Sequence, residues 1–256
     1  MIHSFLLIGQ SNAGGRGLLT EAEPLDNCDG DLLQLRNGLW VKMFRPVNPD
    51  RKTSGVCLAE TFAKAYHEAH PEVQVGIIPC ADGGTEISQW QPGQILFDNA
   101  VHCARMAQRT SCLKGILWHQ GESDCQPEQI PLYLEKLRNM IDGLRQELGL
   151  PGIPVLVGGL GDFLSEYGLV HYGSINEALM FCAGSDENCA FVPADGLSAN
   201  PDNLHFSASA LQEFGYRYFD AFRSLPCYAD TFVTDEKIQN QERSAFLISY
   251  GTVAKW

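Results

Sequence analysis

Apolar residues cluster along this chain in five short continuous runs, separated by stretches of helical spacing. The runs are Ser4 to Ile8, Val73 to Pro79, Leu113 to Trp118, Val155 to Gly158 and Ala190 to Val192. Their length and their polar or glycine-bearing borders predict buried β-strands. Between them, Leu58, Phe62, Ala65, Tyr66 and Ala69 share one helical face. Leu134, Leu137, Ile141, Leu144 and Leu148 make a second, and Leu211, Phe214, Tyr218 and Phe222 a third. Strands alternating with helices predict a parallel sheet covered on both faces, because each crossover must return over the sheet before the next parallel strand begins. The expected fold class is α/β: a single three-layer αβα domain around a five-stranded parallel sheet. The segment from Asn27 to Lys52 carries few periodic signals and several Pro, Asn and Asp residues, and is expected to be a long loop or short irregular elements over the site. The tail from Tyr228 to Trp256 turns from polar to apolar and is expected to add an edge strand or pack on a neighbour. The division expected is therefore an enzyme-sized domain over 1–224 and a C-terminal extension over 225–256.

Composition narrows the functions that this fold can serve. With 256 residues, 45% of them hydrophobic, the chain can bury a large single core. A net charge of −13 would repel a phosphate backbone or an anionic membrane surface, so neither nucleic acid nor membrane is an expected partner. Nine cysteines are scattered without a Cys-x-x-Cys pair, which gives neither a zinc framework nor a redox motif and suits reduced thiols in a cytoplasmic setting. Met1 to Ile8 has no basic leader or small-residue cleavage site, so no signal peptide is expected, and no apolar stretch approaches the roughly twenty residues of a membrane helix. An oligomer is compatible with all of this.

In a doubly wound sheet the reactive loops gather beyond the carboxyl ends of the strands. After the first run comes Gly9-Gln10-Ser11-Asn12-Ala13-Gly14-Gly15-Arg16-Gly17, a glycine-rich turn that places Ser11 where a helix would begin. Unpaired N–H groups and the positive dipole end there would favour charge developing on an acyl oxygen. Ser11 could equally cap the helix. Ala13 rules out a Gly-x-Ser-x-Gly elbow, which disfavours an ordinary α/β-hydrolase. After the second run, Ala81-Asp82-Gly83-Gly84-Thr85-Glu86-Ile87 offers backbone N–H groups that a ligand can approach closely, or a plain turn. After the third comes the polar heptad Trp118-His119-Gln120-Gly121-Glu122-Ser123-Asp124. Ahead of the last helical pattern, Asp202-Asn203-Leu204-His205 sets a carboxylate three residues before an imidazole, the spacing with which an aspartate can orient a general base. The other histidines lack a ligand spacing with neighbouring acids or cysteines, and no phosphate loop is present, so no cofactor and no catalytic metal are expected.

Together these loops resemble the SGNH-hydrolase superfamily, in its branch of sialate O-acetylesterases and carbohydrate acetylesterases that includes acetylxylan esterases. The likeness runs from residue 4 to about 224 and rests on Gly-Gln-Ser-Asn, Gln-Gly-Glu-Ser-Asp and Asp-x-x-His in that order. It implies a flavodoxin-like sheet and a serine esterase that removes acetyl groups from carbohydrate hydroxyls. It further implies Ser11 as nucleophile, His205 as base and Asp202 as its orienter. The oxyanion hole would be formed by the N–H groups of Ser11 and Gly84, or Gly83, with the Gln120 amide. Glu122 is either catalytic or a brace of the Ser11 turn. Gln10 and Asn12 are candidate sugar contacts, as is Arg16, which the acidic residues nearby could instead engage as an ion pair. Trp90 is either a sugar platform or local packing. Two rivals remain at this point: a carbohydrate-binding relative without turnover, and a lipase or thioesterase on the same fold.

Overall fold

The computed structural model describes residues 1–228. Strand β1 (Ile2–Gly9) leads into a single helical turn, α1 (Ser11–Gly14), and then into an antiparallel hairpin of β2 (Leu32–Arg36) and β3 (Leu39–Lys42). From there the chain alternates through α2 (Leu58–Ala69), β4 (Gln74–Pro79), α3 (Ile95–Ala107), β5 (Cys112–His119) and α4 (Ile130–Leu148). It continues through β6 (Val155–Gly158), α5 (Leu164–Tyr167), α6 (Tyr172–Gly184), β7 (Cys189–Val192) and α7 (Ala208–Ser224).

The strands form one sheet in the order β3-β2-β4-β1-β5-β6-β7. Every pairing except β2–β3 is parallel. The five apolar runs read from the sequence are a contiguous block of it, β4-β1-β5-β6-β7, that ends at the β7 edge. This is the doubly wound order, in which the connections diverge on either side of β1 and leave a crevice beyond its carboxyl end. β1 shows why these runs are continuous rather than alternating. Phe5 and Leu7 point into a core shared with α2 and α7, whereas Leu6 and Ile8 point into one shared with α3, α4 and α6. A strand buried on both faces needs apolar side chains at every position.

Helix boundaries follow local chemistry. Ser207 caps α7 by accepting from the Ala210 N–H, and α4 stops at Gly149, whose φ of 68° is the left-handed geometry that ends helices. No helix among the described residues is long and apolar enough to cross a membrane.

Three expectations are corrected. The sheet has seven strands rather than five, because the segment expected to be a loop over 27–52 contains β2 and β3. The hairpin turns at Asn37-Gly38, with φ of 50° and 78°, the pair of positive values that a tight two-residue turn demands. The helix expected from Ser11 is only one turn, so the dipole there is small and its N–H groups are what remain. The expected role of the tail lies outside the described residues from 229 onward.

The tightest helix contact generates a stability test. At Gly215 of α7 an added Cβ would fall 2.1 Å from Thr61 Oγ1 and 2.2 Å from the Leu58 carbonyl oxygen of α2. Elsewhere in a helix, exchanging Gly for Ala gains about 1 kcal/mol. Here the overpacking is expected to reverse the sign, with Gly215→Ala losing roughly 1–3 kcal/mol. The urea midpoint should fall; a midpoint equal to the parent's would mean that the two helices separate at no cost.

Candidate active site

The carboxyl ends of β1, β4 and β5 and the segment ahead of α7 converge on one cavity. Gly9 permits this at β1: its φ is 122°, and a Cβ there would sit 2.1 Å from the His119 carbonyl oxygen of β5. The chain therefore turns sharply against its neighbour, and the Gln10 N–H donates to that carbonyl at 2.9 Å. Gln10 occupies the cap position of α1 and no side chain caps the turn, so the Ser11 hydroxyl is not spent on its own helix. Instead Ser11 Oγ lies 3.0 Å from His205 Nε2. His205 Nδ1 in turn lies 2.7 Å from Asp202 Oδ2, while Asp202 Oδ1 accepts the N–H groups of Leu204 and His205 at 3.0 Å each. Partial burial pushes the Asp202 carboxyl up, but the hydrogen bonds from the His205 ring and the two N–H groups outweigh it and hold the group below its ordinary value. Asp202 thus stays ionised and fixes the tautomer that leaves Nε2 facing Ser11.

Ser11 and His205 line a cavity of about 400 Å³ together with Gln10, Gly84, Arg51 and Tyr167. Gly84 has a φ of 78°, open space where a side chain would stand, and no acceptor for its N–H among the described residues. Its N–H and that of Ser11, which sits in the first turn of α1 where a helix leaves its donors unpaired, are the two donors the geometry offers to an oxyanion.

The remaining expected residues divide sharply. The Gly83 N–H is already given to Asp50 Oδ2 at 2.8 Å, which removes it from the oxyanion hole. Gln120 is removed as well: it is fully buried, and its Nε2 donates to the Thr85 carbonyl at 2.9 Å and lies near Gln10 Oε1 and Asp124, so it braces the loop beside Gly84. Asn12 is not a sugar contact. It is buried, giving its amide to Glu122 Oε1 at 2.6 Å and the Leu204 carbonyl at 3.2 Å, and accepting from the Phe206 N–H at 3.1 Å. Trp90 cannot be a platform, being 1% exposed, edge-on to Trp118 and donating to Thr85 Oγ1 at 3.0 Å. Arg16 reaches the cavity wall but is committed to a buried two-pronged pair with Asp50, at 3.0 and 2.6 Å.

Glu122 touches the cavity wall and is otherwise buried, with Asn12 on one side and His119 Nε2 at 3.5 Å. Burial pushes its carboxyl up, but His119 and Asn12 outweigh this and keep it below the ordinary range. Through Asn12 it links the Ser11 turn to the His205 segment. Its arrangement is that of a brace, since its bond goes to Asn12, which in turn holds the Leu204 carbonyl and the Phe206 N–H on either side of His205.

Sequence reasoning missed the residues that hold these loops together. Asn48 pairs with both the N–H and the carbonyl of Ala81, at 3.0 and 2.9 Å, and Arg51 reaches Asp82 and the Gly83 carbonyl at 2.7 and 3.0 Å. Both follow the overlooked hairpin. Tyr167, at the end of α5, and Leu169, just beyond it, also line the cavity from the segment after β6.

Comparison with known proteins fits this geometry. A family model described as carbohydrate esterase, sialic acid-specific acetylesterase, matches residues 1–224. A probable carbohydrate esterase of Arabidopsis thaliana is 29% identical over 249 residues, spanning 87% of this chain and 91% of that protein. Its solved structure superposes with a TM-score of 0.79 at 27% identity, covering 87% of this chain and 98% of that one. The structure of NanS follows at a TM-score of 0.67 and 17% identity, over 86% of this chain and 96% of that one. A carbohydrate acetylesterase from Xanthomonas citri gives 0.62 and 20%, over 87% and 56%. The last two likenesses are of fold alone.

Asp50 supplies the test of this arrangement. It accepts from Arg16, Ser54 Oγ and the Gly83 N–H, and although burial pushes its carboxyl up, the bonds from Arg16 and Ser54 lower it overall. A carboxyl depressed in the folded state contributes stability that is present above its unfolded value near 4 and is lost as pH falls through the lower folded one. Asp50→Ala also strands the buried Arg16 charge and is expected to cost about 3 kcal/mol or more. Urea midpoints measured from pH 7 down to 3 should show both the loss and a flatter acid limb; a variant as stable as the parent at pH 7 contradicts the clamp.

Proposed function

This chain belongs to the carbohydrate esterase, sialic acid-specific acetylesterase family, and from that membership we propose that it is a serine esterase that removes acetyl groups from carbohydrate hydroxyls, with residues 1–224 as the catalytic domain. The observation that carries the reading is the continuous Asp202–His205–Ser11 contact, 2.7 and 3.0 Å long, on the wall of a cavity that also exposes Gly84. The Arabidopsis relative, named a probable carbohydrate esterase, supports it.

In this reading Ser11 Oγ attacks the acetyl carbonyl while His205 Nε2 takes its proton, and Asp202 stabilises the imidazolium through Nδ1–H. The carbonyl oxygen becomes an oxyanion held by the Ser11 and Gly84 N–H groups. On collapse, the C–O bond to the sugar breaks and His205 returns the proton to the departing sugar oxygen, leaving acetyl-Ser11. Water, deprotonated by the same imidazole, then attacks the acetyl carbon. Acetate leaves, and Ser11 recovers its proton. Gln120, Asn12 and Glu122 hold the donors and the two reacting segments in place rather than touching the ester.

Ser11→Ala and His205→Ala are each expected to reduce acetate release from O-acetylated saccharides by roughly 10³-fold or more while leaving the fold intact. An organophosphonate should label the parent at Ser11 and not Ser11→Ala. Undiminished turnover in either variant overturns the mechanism. A parent that is labelled but releases only long acyl chains, in a series of esters of increasing chain length, replaces the acetylesterase with a lipase or thioesterase.

A further inference from the structure

Four large aromatic side chains are exposed among the described residues: Phe44, Tyr167, Phe181 and Tyr216. Phe44 lies under the Arg36 guanidinium and Phe181 under that of Arg138, each at 5.2 Å. Tyr216 sits on α7, outside the cavity. Tyr167 alone of the four lines the cavity that holds Ser11 and His205. It ends α5, is 52% exposed, and shares the cavity lining with Leu169 and Leu204. The residue before it faces the catalytic segment, where the Asn203 side-chain amide, two residues ahead of His205, donates to Glu166 Oε2 at 3.1 Å. The same cavity is polar at Arg51, whose guanidinium is held by Asp82 at 2.7 Å and by the Asp50 and Gly83 carbonyls at 2.9 and 3.0 Å.

We propose that Tyr167 is the platform of the sugar-binding subsite, on which the C–H face of a pyranose ring stacks while an acetylated hydroxyl of that ring reaches Ser11. The inference rests on the carbohydrate-esterase reading of the Ser11 site. A pyranose presents an apolar face of C–H bonds and a rim of hydroxyls. Covering the first with a ring removes apolar surface from water, and the negative face of the aromatic ring attracts the C–H edge. A tyrosine does so with only two side-chain torsions to fix, so little entropy is lost. The hydroxyl rim is then left for polar groups of the cavity wall such as Ser123 and Gln126. Trp90, the tryptophan of the β4 loop, cannot take this part because it is buried in the core.

The test compares sugar esters with an ester that has no ring. Acetate release is measured from acetylated methyl xylopyranoside, from a 4-O-acetylated sialic acid glycoside and from ethyl acetate. The quantity read is kcat/KM for the better sugar divided by kcat/KM for ethyl acetate. Tyr167→Ala is expected to lower this ratio about tenfold, chiefly through KM for the sugar. Tyr167→Phe and Tyr167→Trp, which keep a ring, should restore it to within about twofold of the parent. A parent that prefers a sugar and a Tyr167→Ala variant with the same preference overturn the platform and leave the esterase reading standing. So does a ratio that neither ring-bearing variant restores, since the lost quantity is then not the ring face. A parent that hydrolyses neither sugar better than ethyl acetate overturns the carbohydrate reading, and the platform with it.

Discussion

The working geometry of this molecule depends on one buried ion pair. Arg16, just after the Ser11 turn, and Asp50, just after the β2–β3 hairpin, meet with two parallel hydrogen bonds at 6% side-chain exposure each. Asp50 uses its remaining capacity on Ser54 and on the Gly83 N–H. Three chain segments that leave the sheet from different places are thereby fixed at a common point. Gly83 is turned inward by Asp50, and the next residue, Gly84, presents its open face to the cavity. A buried pair of this kind gains little net stability over an apolar replacement, because two ions must be dehydrated to form it. Its return is geometric: backbone bonds at the strand ends, from the Asp82 N–H to the Gly9 carbonyl and from the Gln10 N–H to the His119 carbonyl, start the two loops that carry the proposed oxyanion donors, and the pair ties them together farther out.

A second polar layer supports the first. Gln120, Asp124, Glu122 and Asn12 are buried behind the cavity, where Asp124 accepts from the Ile87 N–H at 2.9 Å and the Tyr133 hydroxyl donates to the Gln120 carbonyl at 2.7 Å. Burial drives the Asp124 carboxyl above its ordinary value, whereas Glu122, with a histidine at its side, is held below. Two neighbouring carboxyls are thus pushed in opposite directions by their surroundings. Polar side chains in a strand-end heptad were legible as a functional signal, but their direction was not. A motif gives residue types in order; whether an amide faces the cavity or the backbone behind it is decided by packing.

That distinction explains most of what the sequence disclosed and what it withheld. Four of the five strands, β4, β1, β5 and β6, were readable because they lie inside the sheet and are buried on both faces, which forces an unbroken apolar run; β7, at the edge and half covered, shows only a short one. β2 escaped notice for a related reason: Leu32 to Leu35 are buried but include Gln34, while β3 at the edge is only partly covered, so neither shows a clean period. The turn between them, Asn37-Gly38, was the available signal. Ser11, Asp202 and His205 were found because their spacing answers to chemistry that residues near in sequence can declare. Asp50 and Asn48 were not, because their partners lie more than thirty positions away, and a side chain that holds a distant loop leaves no local pattern. Tyr167 follows a strand end whose loop has no polar cluster to mark it.

The α5 loop also differs from the others in how it is attached. The loops carrying Ser11, Gly84 and His205 are woven together by several buried or half-buried side-chain bonds, whereas the α5 segment meets the His205 segment through an exposed bond from Asn203 to Glu166 and the edge of Phe163 against Phe206. With Leu164 and Leu169 kept as its anchors in the core, the exposed positions 165–168 and 170 can therefore be exchanged with small disturbance to the groups that touch the ester. In evolutionary terms the molecule separates what is costly to change from what is cheap: a lineage could acquire a new sugar preference by drift in one surface segment, one substitution at a time, without passing through an inactive ancestor.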